Sequence, residues 1–115
     1  MIGIEPLSHH ELVNLPETFR LLGDPSRLRI LLHCTDAPKS VTQIADDLDL
    51  SQSLVSHHLR LLRGARLVRG VRQSRHIFYR ISDQHVNAFL IDMIAHISTG
   101  QRIAGIGVAV LEAAG

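Results

Sequence analysis

Apolar residues recur at helical spacing along most of this chain. Leu12, Leu15, Phe19 and Leu22 follow Ser8, which can cap a helix with Glu11 three residues on, the pattern of a capping box. Pro16 inside the run predicts a kink or a break into two short helices. Gly23-Asp24-Pro25 stops it, and Asp24 or Ser26 can start a second helix with Pro25 in its first turn. Leu28, Leu31 and Leu32 supply that helix's expected buried stripe. A turn over Asp36–Lys39 leads to a short helix, Val41–Leu48, with Ile44, Ala45 and Leu48 inward. Ser51 then caps a helix from Gln52 to about Leu62 that turns Leu54, Val55, Leu59 and Leu62 inward and breaks at Gly64.

The period then shortens. Leu67–Val71 and Ile77–Ile81 read as strands, with Gln73-Ser74-Arg75 as the hairpin tip. Ser82 or Asp83 caps a last helix through about Ser98, ended by Gly100. Residues 1–7 read as a loose arm, and residues 101–115 form an apolar tail. The order is helix, helix, helix–turn–helix, β-hairpin, helix. The expected fold is mainly α with a small β-hairpin wing: one winged helix-turn-helix domain over residues 1–115. The helix–turn–helix occupies 41–63 and the wing 67–81, flanked by dimerisation helices at 8–22 and 83–98.

Composition narrows the classes. At 115 residues the chain is one domain in size, and such a small core is often completed by a partner subunit. Apolar content of 45% excludes a disordered chain, and 3% aromatics leave the core to Leu, Ile and Val. No segment reads as a bilayer span or a secretory signal. Cys34 is the single cysteine, so an intrachain disulfide is excluded and a reducing cytoplasm is the expected location.

Charge changes the picture most. Arg60, Arg63, Arg66, Arg69, Arg72, Arg75 and Arg80 fall within 21 residues, and no acidic residue lies between Asp49 and Asp83. The net charge of +1 therefore hides a +7 segment set against −6 in the remainder. A one-signed patch on a small domain is the footprint of a polyanion binder, here double-stranded DNA. The second helix of a helix–turn–helix offers its N-terminal side chains to base edges in the major groove. Gln52, Ser53, Ser56, His57 and Arg60 face outward there; Gln suits adenine, and Arg suits guanine or phosphate. Arg69, Arg72, Arg75 and His76 on the hairpin can reach phosphate or a narrow minor groove. His58 is read as a packing residue.

At these residues the chain resembles a known family. Leu21-Leu22-Gly23-Asp24-Pro25-Ser26-Arg27-Leu28-Arg29-Ile30-Leu31 resembles the opening helices of the ArsR/SmtB family of metal-responsive bacterial repressors. Ser51–Arg63 resembles their recognition helix, and Arg75–Ile81 the second strand of their wing. The resemblance covers about Leu12 to Ser98. It implies a homodimer that represses transcription and releases its operator when an inducer binds.

A candidate sensor lies in the last helix. His85 and His96 are 11 residues apart, so on one helix they point the same way but lie about 16 Å apart along the axis. Metal–imidazole bonds are about 2.0–2.1 Å, so one chain supplies half a site at best. If two copies of the helix pack antiparallel, Asp83 and His85 of one chain lie beside His96 of the other, and symmetry makes two sites. Val86, Phe89, Leu90, Met93, Ile94 and Ile97 form the apolar stripe for such packing. The pattern resembles the family's terminal-helix site for zinc and, in some members, cobalt or nickel. Its usual fourth ligand, three residues after the second His, is Thr99 here; water, His9, His10 or Glu112 are substitutes. His33-Cys34 is a second candidate pair, since a thiolate suits zinc or copper(I). Val41–Leu48 has no Cys, so the thiolate site that the family's arsenic, cadmium or lead sensors place there is absent.

Other readings stay open at this point: a repressor of the same fold with a redox trigger at Cys34 or a small-molecule trigger, or a constitutive DNA-binding protein. In the alternative reading, Asp83 only caps its helix and both His are polar interface residues. A zinc hydrolase is disfavoured, because the chain shows no HExxH-type pattern and no general base beside the proposed site.

Overall fold

The computed structural model describes the backbone of residues 6–112 and the side chains of residues 6–100. The element order is α1 (His9–Leu22), α2 (Pro25–His33), β1 (Lys39–Ser40), α3 (Val41–Leu48), α4 (Gln52–Gly64), β2 (Val68–Gln73), β3 (His76–Ile81) and α5 (Gln84–Glu112). These fall into two compact units, Met1–Ser82 and Asp83–Gly115. The first unit is a winged helix-turn-helix, with α3 and α4 as the helix–turn–helix and β2–β3 as the wing.

Capping sets the helix starts. Ser8 Oγ accepts from the Glu11 backbone N–H at 3.1 Å while Glu11 returns a carboxylate to the Ser8 N–H at 2.9 Å, the expected capping box. Asp24, rather than Ser26, caps α2, with Pro25 in its first turn. Ser40 and Gln43 form a second reciprocal box at α3, and Ser51 caps α4. The tight connector after α3 turns through Asp49 at φ 57°, a left-handed position that Asp tolerates.

Several expectations are corrected. Pro16 neither breaks nor divides α1, which is one helix. Proline only deletes the bond to the Leu12 carbonyl, and both residues are exposed, so water can take that carbonyl. In α2 the buried face is Arg27, Ile30 and Leu31, whereas Leu28 and Leu32 are half-buried. In α4 the buried positions are Val55, His58, Leu59 and Leu62. Leu54 is not inward: it is 38% exposed, one turn ahead of His58 and about 100° round the helix from Val55. Gly64 closes α4 from within the helix rather than breaking it.

The wing is a three-stranded sheet of order β1-β3-β2 rather than a bare hairpin. The additional strand is two residues long, with Lys39 opposite Tyr79 and Ser40 opposite Phe78. The hairpin tip is the two-residue Ser74–Arg75 turn, with Ser74 at φ 61°. Gly70 stands opposite Tyr79, and a Cβ there would come 2.8 Å from the Ile77 side chain and 3.2 Å from the Tyr79 ring. Glycine lets the two β3 side chains lie over β2.

The core of this unit joins Ile30 and Leu31 of α2, Ile44 of α3, Val55, Leu59 and Leu62 of α4, and Val68 at the wing base, each at most 2% exposed. Burying one such side chain stabilises by about 1.5–3 kcal/mol, and α4 contributes three. In the second unit, Asp83 caps α5: its Oδ1 accepts from the backbone N–H of His85 at 2.9 Å and of Val86 at 3.0 Å. The helix does not stop near Ser98. It passes through Gly100, where an added Cβ would meet open space, and continues to Glu112. A single glycine lowers helix propensity without ending a helix. The side chains of the tail, including Glu112, lie outside the described residues.

Ser40→Ala removes the hydroxyl half of the α3 capping box. Unfolding in urea is expected to show a loss of about 1 kcal/mol with an unchanged denaturant slope.

Candidate nucleic-acid interface and metal centre

The buried stripe of α4 determines what its other side presents. With Val55, His58, Leu59 and Leu62 inward, Gln52, Ser53, His57 and Arg60 are exposed and Ser56 is half-buried. Ser51 Oγ accepts from the Leu54 N–H at 3.1 Å and leaves neighbouring N–H groups at the helix start without an intrahelical acceptor. That end carries the positive pole of the helix and favours an anion such as phosphate.

All seven arginines from Arg60 to Arg80 are exposed. The three ion pairs among the described residues are Arg20–Glu17, His33–Asp47 and Lys39–Asp36, so none of the seven is neutralised by one. Arg69 lies directly opposite Arg80 across the β2–β3 ladder. Like charges in that relation destabilise a sheet, as do seven unneutralised cations on one small unit. A polyanion relieves both. Arg69 and Arg72 are three apart on one strand, so their side chains leave opposite faces of the wing, with Arg75 in the tip turn between them. The expected cluster is therefore an edge that presents cations on two sides.

The three candidate metal ligands are all exposed on the second unit. Asp83 stands at the start of α5, His85 in its first turn and His96 three turns on. The helix is continuous between the two His, so the separation of about 16 Å holds and a single chain does not bring them together. Among the described residues no three His, Cys, Asp or Glu side chains are placed to hold one metal ion. The donor types nonetheless suit a divalent cation: both capping bonds fall on Asp83 Oδ1, leaving Oδ2 open, and the His85 and His96 imidazoles are exposed.

The second candidate pair separates into two structural roles. His33 Nε2 lies 2.8 Å from Asp47 Oδ2, tying α2 to α3. Cys34 is 2% exposed, and burial pushes its thiol up to about 11. A buried, protonated thiol is a poor nucleophile and a poor metal ligand. His10 pairs with Asn14 at 2.8 Å within α1.

Two buried polar residues had a different sequence signal. Arg27 precedes Ile30 by three and Leu31 by four, which places it on the buried face of α2. It is 8% exposed and its Nε donates to His58 Nδ1 at 3.3 Å. The packing role expected for His58 holds, at 6% exposure.

A helical body, a capped and half-buried second helix and a cationic three-stranded wing define a winged helix-turn-helix DNA-binding protein. Residues 24–69 match the family described as "Bacterial regulatory protein, arsR family". The chain is 40% identical over 91 residues to the HTH-type transcriptional regulator NmtR of Mycobacterium tuberculosis, covering 79% of this chain and 76% of that one. It is 36% identical over 80 residues to the HTH-type transcriptional repressor SmtB of the same species, covering 70% of this chain and 59% of that one. Among solved structures, the cadmium metal-sensor CMTR from M. tuberculosis superposes with a TM-score of 0.59 at 36% identity, over 67% of this chain and 80% of that one. A homodimeric winged helix-turn-helix domain from Mycobacterium bovis gives 0.73 at 20% identity, over 90% of this chain and 94% of that one, and speaks for the fold. The chain belongs to the arsR family, whose members are DNA-binding transcriptional regulators and not enzymes.

The folded protein is expected to resist iodoacetamide at pH 8, with Cys34 alkylating rapidly only after denaturant is added; mass spectrometry of the quenched reaction reads this directly.

Proposed function

We propose that this chain is a homodimeric transcriptional repressor that leaves its operator when a divalent metal, zinc foremost and cobalt or nickel next, binds between the terminal helices of two subunits. The observation that carries the reading is the placement of Asp83 at the cap, and His85 and His96 along the length, of one uninterrupted helix, too far apart to close a site within the chain. Exposed apolar residues mark where a second copy would pack: Met93, Ile94 and Ile97 on α5, and Leu12, Val13 and Leu15 on α1. An M. bovis relative by fold is homodimeric, CMTR is a cadmium metal-sensor, and SmtB is a repressor.

In this reading Gln52, Ser53, Ser56, His57 and Arg60 read the major groove, while Arg69, Arg72 and Arg75 hold the flanking phosphates. Asp83 and His85 of one chain and His96 of the other hold the metal. Thr99 at the family's usual fourth-ligand position leaves a coordination place for water, which suits a regulatory ion that must come and go. Bound there, a divalent cation would supply a charged link between subunits. A dimer has to place two α4 helices roughly 34 Å apart on DNA, so fixing one dimer geometry can misalign them. Reciprocity then makes DNA weaken metal binding by the same factor, typically about 5- to 150-fold. Burial of Cys34 weighs against a redox trigger at that residue.

Zinc titrated into a protein–operator complex is expected to release DNA within that range. His96→Ala abolishes the release and leaves metal-free DNA affinity intact; unchanged affinity of the wild type at saturating zinc, cobalt and nickel would sink the mechanism. Separately, Arg72→Ala is expected to weaken binding evenly across DNA sequences and lower the slope of log affinity against log salt by about 0.9.

A further inference from the structure

The helix that faces DNA also carries a histidine that faces away from it. His58 lies between Val55 and Leu62 on the buried side of α4, and its Nδ1 accepts from Arg27 Nε at 3.3 Å. The same guanidinium donates through Nη1 to the Leu21 carbonyl, in the last turn of α1, at 3.2 Å. The Arg27 backbone N–H donates to Asp24 Oδ1 at 2.9 Å. One buried cation thus joins the end of α1, the start of α2 and the middle of α4. Its side-chain bonds go to a carbonyl and an imidazole, not to a carboxylate. Arginine stays charged and only donates, so Nδ1 of His58 must offer a lone pair and the proton must sit on Nε2.

We propose that Arg27 and His58 are a positioning pair that sets α4 on the body of the domain, and that the pair holds only while His58 is neutral, so that acid weakens DNA binding through it. The inference rests on the reading of α4 as the DNA-contacting helix. A proton on Nδ1 replaces the acceptor with a donor and puts two cations in contact inside the fold.

The surroundings favour the neutral form. Burial first, then the Arg27 charge and the neighbouring His57, hold His58 below the ordinary histidine value of 6.5, while Asp24 pulls the other way. Glu17 on α1 feels the Arg27 charge but is exposed. A histidine with a lowered value contributes stability that is complete above 6.5 and is lost as the pH falls through its folded value. Exposed His57 and His76 lie on the arginine-rich face, where added positive charge tightens rather than weakens a polyanion. An acid weakening that His58→Asn abolishes is therefore the signature of the buried pair.

The test uses the full chain, a chelator to remove metal, constant ionic strength, and a 30-base-pair duplex that the wild-type protein selects from a randomised library. Asn at position 58 places an acceptor oxygen as many bonds from the backbone as Nδ1 but takes up no proton; Leu offers no acceptor. Between pH 7.5 and 5.5 the wild type is expected to lose at least threefold in affinity relative to His58→Asn. At pH 7.5 His58→Asn is expected to bind at least fivefold more tightly than His58→Leu, and neither variant weakens in acid. The pair is refuted if His58→Asn follows the wild-type acid response, or if His58→Leu matches the wild type at pH 7.5. Should a variant fail to fold by circular dichroism, imidazole nitrogen NMR of the wild type decides: a protonated Nδ1 at neutral pH overturns the proposal, and the Nε2–H form with titration below 6.5 sustains it. Gln52→Ala and Arg60→Ala separate the two levels. If both leave affinity unchanged, the reading of α4 itself fails; if they weaken binding while the position-58 variants do not, only the positioning pair fails.

Discussion

A helix that is to be offered to a partner must be held from one side only, and the rest of this domain follows from that constraint on α4. Its grip is Val55, His58, Leu59 and Leu62, a stripe repeating every three or four residues, seated against α2 and α3. Ile30, Leu31 and Ile44 complete that contact, and every one of them is fully removed from solvent. The stripe is narrow. The remaining surface of a 13-residue helix is thereby left open to carry Gln52, Ser53, His57 and Arg60. A wider apolar face would hold α4 more firmly but would leave fewer positions for a polar partner.

Charge is organised by the same logic. Five acidic residues of the first unit are used for local tasks: Asp24 caps α2, Glu11 closes a capping box, Glu17 pairs with Arg20, Asp36 with Lys39 and Asp47 with His33. None of these lies between Arg60 and Arg80. Arginines are therefore left uncompensated along α4 and the wing, including the opposed Arg69 and Arg80. The resulting self-repulsion opposes folding and favours a polyanion, so the feature that weakens the isolated protein is the one that selects its partner.

Much of this was legible in the sequence because it is local. Capping residues, the change of period at Leu67, and the run of one-signed charge depend on neighbours within a few positions: Ser8 and Ser51 cap as expected, and Asp24 and Asp83 prove to be the caps where Ser26 and Ser82 were the alternatives. What escaped depends on residues far apart in the chain. Strand β1 exists only because Lys39 and Ser40 find Tyr79 and Phe78 about forty positions away, and two residues carry no periodic signal of their own. Leu54 is apolar and adjacent to the stripe, yet it stays 38% exposed. Arg27 was concealed by its chemistry: periodicity places it inside, charge places it outside, and only His58, 31 residues on, reconciles the two. Gly100 was read as a stop because glycine disfavours helices, whereas a cost of about 1 kcal/mol is small beside a helix of 29 residues.

The candidate metal site was legible as a spacing of ligands, yet one chain does not assemble it, for a reason that concerns symmetry rather than range. Asp83 caps α5, His85 lies in its first turn, and His96 lies about 16 Å further along the axis, so no rotamer of one chain can unite the three. Ligands split in this way are useless to a monomer. In a pair of antiparallel helices the same spacing becomes an advantage, because each end of one helix meets the opposite end of the other and two identical sites form at once. The exposed Met93, Ile94 and Ile97 would give such a pair an apolar seam, with Asp83, His85 and His96 at its borders. Occupancy would then report on the relation between two subunits rather than on the state of either, which is the quantity a DNA-binding dimer has to control.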